Sequence, residues 1–522
     1  MTLARTHAAA LVGVQGHAVE VEADLAQGLP TFVLVGLPDT ALSEARDRVR
    51  AAVVNSGESW PARRITVSLS PAALPKRGSG FDLPIAVAVL AAAGGLPTAQ
   101  LEGMALMGEL GLDGQVRPVR GVLPSVLALA EAGVDRVVVP AANAAEAQLV
   151  PDVRVLSIRS LRQLVAVLRG EEEPTSEDVP APDSGAARSA GDDGCAAGDG
   201  LDLADVLGQS AARTALEVSA AGGHHLFLFG PPGTGKTMLA ERLPGLLPAL
   251  DRPAALEVTT IHSVAGTLPP DRPLMTRPPF HGPHHTATLP AIVGGGSGIV
   301  RPGAVSLAHR GVLFLDEAPE FASGVLDALR QPLECGEVVI ARAHTTARFP
   351  ARFTLVLAAN PCPCGRAGDT AGGAGDACNC TPHARIRYLG RLSGPLLDRV
   401  DLRMAMRPVS RADMISDRVH VEPTHVVAAR VAAARERAVA RLAGTPWRTN
   451  AEVASRELRR SWAPHSGALR SVERLLEVGA LTARGVDRVV RVAWTLADLA
   501  GRDRPGIDEV DTAVALRQGR AA

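Results

Sequence analysis

A strand-like run that leads straight into a glycine-rich loop constrains this chain more than any other feature. Residues 224–229 read HHLFLF, residues 230–237 read GPPGTGKT, and an apolar helical stretch begins at Met238. Glycines in such a loop let backbone N–H groups surround a phosphate at the N-terminus of the following helix. The alternative, an ordinary glycine turn between a strand and a helix, does not require the full eight-residue pattern. We therefore predict a nucleotide-binding P-loop in an α/β core.

Lysine is so rare in this chain that the position of each lysine is informative. Lys76 and Lys236 are the only two, and the other 52 of the 54 basic residues are arginine. A position that keeps lysine is a candidate for chemistry that needs a compact ammonium on a flexible stem. We expect Lys236 to reach the β and γ phosphates of a nucleotide, and the Thr237 hydroxyl to bind magnesium.

A second apolar strand, residues 311–315, ends in Asp316 and Glu317, which is the Walker B pattern. We expect Asp316 to hold magnesium through water, and Glu317 to orient and polarise the water that attacks the γ phosphate. A solvated acidic loop is the alternative interpretation, and the upstream P-loop argues against it. The predicted nucleotide-binding residues are Gly230, Pro231, Pro232, Gly233, Thr234, Gly235, Lys236, Thr237 and Asp316.

Two further polar residues are candidates for sensing or stabilising the γ phosphate. A third apolar strand, residues 353–359, ends at Asn360, where a parallel sheet presents its ligand-binding edge. Arg399 follows a helical turn and precedes another strand-like run, in the sequence LLDRVD. An arginine supplied by a neighbouring subunit neutralises transition-state charge, which would make the active form a ring. An ordinary surface salt bridge is the alternative interpretation of Arg399.

Four of the six cysteines form two close pairs, separated by a loop rich in glycine, alanine and aspartate at residues 365–377. Six cysteines in so long a chain do not make a disulfide scaffold. Four thiolates could enclose tetrahedral zinc, although the C-x-C spacing is tighter than that of typical zinc pairs. A structural zinc ion and reduced, unliganded thiols are both open hypotheses. The paired residues are Cys362, Cys364, Cys378 and Cys380.

The composition describes a multidomain globular protein with aliphatic cores. Its 522 residues, of which 46% are hydrophobic and 3% aromatic, allow about three or four domains. The 54 basic and 55 acidic residues give a net charge of −1, so any DNA binding must rely on local patches. The longest apolar stretch, residues 83–97, is shorter than the roughly twenty residues of a membrane span. With no secretory signal evident, we expect a cytoplasmic protein and no membrane partner.

Composition also divides the chain into three blocks and a linker. Residues 1–168 alternate β-branched runs with alanine-rich helical stretches, which predicts an α/β domain. Residues 169–200 combine acidic residues with Pro, Gly, Ser and Ala, and we interpret them as a flexible linker. Residues 201–410 carry the P-loop core, and residues 411–522 predict a helical domain. The predicted strands of the first block are residues 31–34, 65–69 and 136–139; the predicted helices are residues 43–55, 83–93 and 123–132, with 426–442 and 486–499 in the last block.

The order of these motifs resembles that of an AAA+ ATPase of the magnesium-chelatase-like branch and, within it, the ComM (YifB) family. The resemblance covers nearly the whole chain. One departure is FHG at residues 280–282, where the family pattern has Phe-Arg-Ala. The resemblance is carried by residues 205–209 (DVLGQ), 283–285 (PHH), 294–296 (GGG), 306–309 (SLAH), 311–321 (GVLFLDEAPEF), 360–365 (NPCPCG) and 393–399 (SGPLLDR).

The resemblance implies roles for individual residues and a cofactor set. Asn360 would be sensor 1, Arg399 the arginine finger, and Arg484, in the sequence LTAR, the sensor 2 arginine of a helical C-terminal lid. ATP and Mg²⁺ are the implied cofactors. The implied catalytic residues are therefore Glu317, Asn360, Arg399 and Arg484.

The first block resembles the Lon-protease-type fold, a ribosomal S5 domain 2-like fold, through residues 75–83 (PKRGSGFDL) and 108–114 (GELGLDG). In such a protease a serine attacks and a lysine serves as its base. In an alignment by eye the serine position falls on Gly80 and the lysine position on Leu123, so the resemblance implies no proteolysis. Ser79 and Lys76 are the nearest substitutes, and we expect Lys76 to contact DNA phosphate or a partner.

The family resemblance implies a hexameric, ring-shaped helicase that uses ATP to drive branch migration of recombination intermediates during natural transformation. Branched or single-stranded DNA is the expected partner, held by phosphate contacts. The alternative is a chelatase-like or chaperone-like ATPase that remodels a protein partner, and the Lon-like first block argues against a chelatase. Candidate pore residues are 294–298 and the pair His284 and His285, for which a structural role is equally plausible.

Overall fold

The computed structural model describes residues 3–37, 42, 44–173, 200–269, 272–296, 300–342, 346–366, 378–417 and 421–519. Most of the predicted linker, residues 174–199, lies outside the described residues, and so does Cys195. The last helix before it ends at Arg169, one residue beyond the predicted end of the first block. Among the described helices, none combines the length and the hydropathy that a membrane span requires.

The first block contains a seven-stranded mixed sheet and the helices that cover it. Its strands are β1 Leu3–Val12, β2 Gln15–Ala26, β3 Thr31–Val35, β4 Arg64–Ser70, β5 Met104–Leu106, β6 Glu109–Leu110, β7 Val116–Arg117, β8 Arg136–Pro140 and β9 Arg154–Ile158. Its helices are α1 Ala45–Asn55, α2 Asp82–Ala92, α3 Val122–Glu131, α4 Ala144–Ala147 and α5 Leu161–Arg169. The six elements predicted in this block are confirmed to within about two residues at each end.

The first block has two hydrophobic clusters, one packed around α2 and one around α3, on the two faces of its sheet. The strand order is β3-β4-β2-β1-β5-β8-β9, while β6 and β7 form a separate hairpin. Alternate residues of β2, such as Val19 and Val21, are fully buried on the face that α2 covers. Every residue of α2 is buried, as expected for a helix that is apolar all round.

The second block is built on a five-stranded parallel sheet. Its strands are β10 Leu226–Phe229, β11 Phe280–His281, β12 Gly294–Gly295, β13 Arg301–Pro302, β14 Val312–Leu315, β15 Glu337–Ala341, β16 Thr346–Pro350, β17 Thr354–Ala359 and β18 Leu402–Ala405. Its helices are α6 Ser210–Gly222, α7 Lys236–Leu246, α8 Arg252–Ala265, α9 Leu289–Val293, α10 Ala304–Leu307, α11 Ser323–Ala328, α12 Arg330–Cys335, α13 Pro382–Leu389 and α14 Gly394–Leu397. Strands β12 with β13, and β15 with β16, form two antiparallel hairpins outside the main sheet.

The strand order of the second block places three predicted motifs at one edge. The order is β11-β14-β17-β10-β18, with all pairs parallel. Phe229 at the end of β10 is paired with Ala359 at the end of β17, and Leu315 of β14 with Leu357. The residues of β14 are all buried, because helices cover both faces of a parallel sheet. The residues that follow β10, β14 and β17 therefore emerge side by side.

The third block is helical. Its helices are α15 Arg411–Asp417, α16 Thr424–Arg441, α17 Ser455–Arg460, α18 Arg470–Glu477, α19 Ala483–Ala500 and α20 Ile507–Gln518. The two helices predicted here correspond to α16 and α19. The hydroxyl of Thr482 accepts a hydrogen bond from the N–H of Gly485 and caps α19, which ends at Gly501 in the left-handed conformation.

The first block packs directly on the second. The N–H of Gly121, just before α3, donates to the carbonyl of Ser263 in α8 at 3.1 Å. The Ser263 hydroxyl hydrogen-bonds to Glu146, a buried carboxylate that also accepts from the N–H of Leu123 at 2.8 Å. On the other side, the turn between β1 and β2 lies against the β15–β16 hairpin: a Cβ on Gly13 would be 3.0 Å from the carbonyl oxygen of Arg348.

A buried carboxylate joins the sheet to the helical block. Asp401, just before β18, forms an ion pair with Arg488 of α19 and lies 3.3 Å from Nδ1 of His224. Burial by itself would raise the pKa of Asp401, but Arg488 and the two neighbouring histidines lower it by more, so the pKa lies well below its usual range. The carboxylate is therefore charged in the folded protein and depends on these partners.

Replacing Asp401 with asparagine keeps the shape of the side chain but leaves Arg488 without its counter-charge. We expect Asp401→Asn to lower the free energy of unfolding by about 3 kcal/mol, because removing one partner of a buried ion pair costs about 3 to 5 kcal/mol. Urea unfolding followed by tryptophan fluorescence measures this change, since three of the four tryptophans, Trp447, Trp462 and Trp494, lie in the helical block.

The matched control is Asp508→Asn, because the side chain of Asp508 is 85% exposed. This substitution should change the free energy of unfolding by less than about 0.5 kcal/mol. Equal unfolding midpoints for the two variants would contradict a structural role for the Asp401 pair.

Candidate active site

The P-loop makes a tight turn between β10 and α7. Gly233 and Gly235 adopt left-handed backbone angles, with φ of 77° and 86°, which residues with a Cβ rarely adopt. Gly235 directly precedes α7, so the loop ends at a helix N-terminus. The first N–H groups of a helix have no partner within it and the helix dipole is positive there, so this end of α7 can attract phosphate.

The ammonium of Lys236 lies at the centre of the loop. Its Nζ donates to the carbonyl oxygens of Gly230 and Pro231, each at 2.8 Å, and to Oδ1 of Asn360 at 3.1 Å. Burial lowers the pKa of Lys236, and the nearby Asp316 and Glu317 oppose that shift. The side chain thus bridges the P-loop and Asn360, the residue that follows β17.

Two oxygen-bearing side chains that the sequence predicts as magnesium ligands contact each other. The Thr237 hydroxyl donates to Oδ2 of Asp316 at 2.7 Å. A hydroxyl and a carboxylate are hard oxygen ligands of the kind Mg²⁺ binds in proteins, usually together with water and phosphate oxygens. The chemistry of this pair therefore fits the implied ion.

Glu317 is held in an unusual backbone conformation next to a histidine. Its φ of 48° is left-handed, which is uncommon for a residue other than glycine and frequent at functional sites. Its N–H donates to Oδ1 of Asp316 at 2.8 Å, and its Oε2 lies 3.2 Å from Nδ1 of His285. The sequence offered His285 only as a pore candidate, and its contact with Glu317 was missed.

The two predicted arginines lie apart from this cluster. The guanidinium of Arg399 donates to the carbonyl of Pro395 at 2.6 Å and forms an ion pair with Glu334. Arg484 is exposed in the first turn of α19. Within the described parts of the chain, neither arginine hydrogen-bonds to the P-loop. The structure thus brings together Lys236, Thr237, Asp316, Glu317 and Asn360, and leaves the roles of Arg399 and Arg484 as predictions.

The four paired cysteines converge beside this site. Their sulfur atoms all lie within 4.8 Å of one another. The sulfur of Cys362 is 3.2 Å from that of Cys364 and 3.6 Å from that of Cys378. Four thiolates bound to zinc at about 2.3 Å would be about 3.8 Å apart. The cluster, completed by Cys380, could therefore hold a metal ion, although residues 367–377 of the intervening loop lie outside the described residues.

The second lysine is buried, contrary to expectation. We expected Lys76 to contact DNA phosphate or a partner, and the structure shows this to be wrong: the side chain is fully buried and Nζ donates to the carbonyl of Pro71. Burial lowers the pKa of Lys76. Ser79 donates instead to Glu109, and in the described residues there is no hydrogen bond between Ser79 and Lys76.

Comparison with known proteins connects this geometry to a family. Family models match residues 202–414 (Magnesium chelatase, subunit ChlI), 21–143 (Subunit ChlI of Mg-chelatase) and 421–517 (Magnesium chelatase, subunit ChlI C-terminal). The competence protein ComM of Haemophilus influenzae is 41% identical over 505 residues, which cover 97% of this chain and 95% of that protein. The chain belongs to the ComM/YifB family of magnesium-chelatase-like AAA+ ATPases.

Two further relatives match this chain over nearly its full length, and a third matches only part of it. An uncharacterized protein of Mycobacterium tuberculosis is 54% identical over 522 residues, 99% of each chain. The uncharacterized protein YifB of Escherichia coli is 40% identical over 518 residues, 99% of this chain and 97% of its own length. A Lon protease of Mycolicibacterium smegmatis is 30% identical over 176 residues, only 22% of that protein. The mixed α/β structure with its parallel sheet fits the AAA+ fold of the family.

The contact between His285 and Glu317 predicts a kinetic effect. A carboxylate held by a partner is less free to polarise water, and a half-exposed pair is worth about 0.7 kcal/mol, so its loss corresponds to about a threefold change in rate. We expect His285→Ala to raise kcat for ATP hydrolysis by about threefold, with KM for ATP unchanged because Glu317 does not bind nucleotide.

Steady-state ATP hydrolysis measures both constants. His425→Ala is the control, since His425 is an exposed residue of α16. A tenfold fall in kcat in His285→Ala would show that His285 activates Glu317 and does not restrain it.

Proposed function

We propose that this protein is a ring-shaped, ATP-driven helicase that promotes branch migration of DNA recombination intermediates during transformation. One observation carries the proposal: Lys236, Thr237, Asp316, Glu317 and Asn360 lie together in a chain that matches a competence protein over 97% of its length. The cluster supports ATP hydrolysis, and the resemblance to the ComM family is the reason for proposing DNA as the molecule that is moved.

Each side chain of the cluster has its own task in this proposal. Lys236 exchanges its two carbonyl partners for oxygens of the β and γ phosphates. Asn360 senses the γ phosphate through its hydrogen bond with Lys236. Glu317 orients the attacking water and accepts its proton. Mg²⁺, when bound by Thr237 and Asp316, neutralises charge on the phosphates.

Exposed arginines on the two hairpins are the proposed DNA contacts. Arg301 lies on β13, Arg342 directly follows β15 and Arg348 lies on β16, and all three are exposed. The hairpins lie side by side, since a Cβ on Gly294 of β12 would be 2.9 Å from Cδ1 of Ile340 in β15. Arginine contacts to phosphate hold DNA without reading its sequence, which suits a chain without bulk positive charge.

A hexameric ring gives the two outlying arginines their proposed roles. Arg399 would act as an arginine finger on the nucleotide of a neighbouring subunit. In the single chain it pairs with Glu334, which is 59% exposed, so assembly has to separate this pair. Arg484 would act as the sensor 2 arginine from the helical lid.

Three further assignments belong to the same proposal. The protein would act in the cytoplasm. The first block would have the Lon-protease-like fold and serve as a contact platform without protease activity. Zinc is the proposed metal of the cysteine cluster, because four soft thiolates within 4.8 Å favour it over harder ions.

The second candidate function is a chelatase-like or chaperone-like ATPase that remodels a protein partner. The matches to magnesium chelatase segments at residues 21–143, 202–414 and 421–517 favour it. The hydrolysis chemistry would be the same, and only the molecule that the ring acts on would differ.

ATP hydrolysis by the purified chain, with and without branched DNA, distinguishes the two functions. We expect branched DNA to increase the rate, and Lys236→Ala and Glu317→Gln each to lower the stimulated rate by about 100-fold or more, because each removes a group that acts on the reacting phosphate. Hydrolysis that every DNA leaves unchanged would favour the protein remodeller.

The double substitution Arg301→Ala and Arg342→Ala separates hydrolysis from DNA binding. It should abolish the stimulation and leave the rate without DNA unchanged, because the hairpins lie outside the nucleotide cluster. Arg46→Ala, at an arginine with a half-exposed side chain on α1 of the first block, is the matched control and should keep the full stimulation. Loss of stimulation in both variants would contradict the placement of DNA on the hairpins.

A further inference from the structure

The cysteine cluster is joined to the nucleotide site by a short backbone segment, in which only Pro361 separates Asn360 from Cys362. Asn360 directly follows β17 and contacts Nζ of Lys236 at 3.1 Å, and Cys362 follows two residues later. Cys362 is fully buried, whereas Cys364 is exposed. Anything that fixes Cys362 therefore restricts the backbone that carries the Asn360 amide.

The same segment also packs on the P-loop. Gly365 has a left-handed φ of 78°, and a Cβ at this position would be 2.8 Å from Cδ of Pro232. Gly365 thus lies against Pro232 of the P-loop. The cluster borders the site from two directions, through Asn360 and through Pro232.

The second cysteine pair anchors a helix that returns to Asn360. A guanidinium N–H of Arg385 donates to the sulfur of Cys378 at 3.3 Å. Arg385 lies on α13, which starts two residues after Cys380 and also carries Tyr388. Burial raises the pKa of the Tyr388 phenol to about 12, and this phenol contacts the backbone of Asn360.

Through these contacts each cysteine pair is connected to Asn360. A metal ion would join the two pairs to each other. The chain runs from Asn360 through Cys362 and Cys364, and it returns from Cys378 and Cys380 through α13 to Asn360. Thiols that meet without a metal offer only weak S–H contacts, whereas four thiolate bonds to one ion hold both pairs rigidly.

We propose that zinc bound by Cys362, Cys364, Cys378 and Cys380 positions Asn360 and Pro232 for ATP hydrolysis, so that the metal state of the cluster sets the turnover rate. This inference rests on the proposed ATPase function and adds its regulation. The cysteines are positioning residues in this proposal, because they act through Asn360 and Pro232. A site of this kind would make hydrolysis sensitive to metal supply and to oxidation of the exposed thiols.

The first measurement is the metal content of the purified full-length chain. We expect one zinc ion per chain, and cobalt in its place should give the intense visible absorption of a tetrahedral thiolate site. Removing zinc with a chelator under reducing conditions should lower kcat for ATP hydrolysis by about 10- to 100-fold, since small displacements of a positioning group cost this much. KM for ATP should change by less than about twofold, because the Lys236 loop still binds phosphate. Adding zinc should restore kcat.

Substitutions at one ligand test the same idea without a chelator. Cys380→Ala should lose the zinc and the turnover, whereas Cys380→His should keep both, because imidazole replaces thiolate as a zinc ligand. Cys335→Ala is the matched control, since Cys335 is an exposed thiol outside the cluster. Thermal unfolding of each variant shows whether it is folded, and Cys380→His keeps the test valid if Cys380→Ala unfolds.

The outcomes separate this inference from the ATPase function. A chain that hydrolyses ATP equally fast with and without zinc, or that purifies with reduced thiols and no metal, overturns the inference alone. A chain that holds zinc but hydrolyses no ATP overturns the proposed function. A fall in kcat that is accompanied by loss of the folded state in every metal-free sample would assign the zinc to stability and also overturn the inference.

Discussion

The ammonium of Lys236 is the interaction on which the rest of the site depends. It bonds to two carbonyl oxygens of the P-loop and to the Asn360 amide, so it joins the ends of two neighbouring strands. A guanidinium is planar and bulky, and could not make this compact set of contacts in a buried position. This explains why position 236 is a lysine in a chain that has arginine at 52 of its 54 basic positions.

The helical block is tied to the sheet through the residues around Arg399. Arg488 pairs with Asp401, and Arg517 of α20 donates to the carbonyl of Val400. The two residues that follow Arg399 are thus bonded to α19 and α20, Asp401 through its side chain and Val400 through its backbone carbonyl. Movement of these helices relative to the sheet would carry the Arg399 segment with it. Arg399, the proposed arginine finger, and Arg484, the proposed sensor 2 arginine, would therefore move together.

Much of the nucleotide site could be predicted from sequence, because its signals are local. Short, mostly buried strands that are followed by a glycine loop, by Asp316 or by Asn360 predict a parallel sheet whose strand ends meet. Contacts that depend on register and on distant packing could not be predicted in this way. The approach of His285 to Glu317 requires β11, a strand of only two residues, to pair with β14, and two residues show no periodicity.

Burial was the other quantity that the sequence did not reveal. Lys76 stands in the segment PKRGSG, whose composition suggests an exposed loop, yet its side chain is fully buried. Similarly, the ion pair between Arg399 and Glu334 joins α12 to the turn after α14 across 65 residues. No local pattern indicates such a partner, because surface pairs are chosen by the tertiary packing that brings the helices together.

The most direct test is a structure of the Glu317→Gln variant with ATP and Mg²⁺ bound. The account predicts that Nζ of Lys236 leaves the carbonyl oxygens of Gly230 and Pro231 for the β and γ phosphates, with Mg²⁺ beside Thr237 and Asp316 and the Asn360 amide facing the γ phosphate. A nucleotide bound elsewhere, or a Lys236 that keeps its carbonyl partners while ATP is bound, would contradict it.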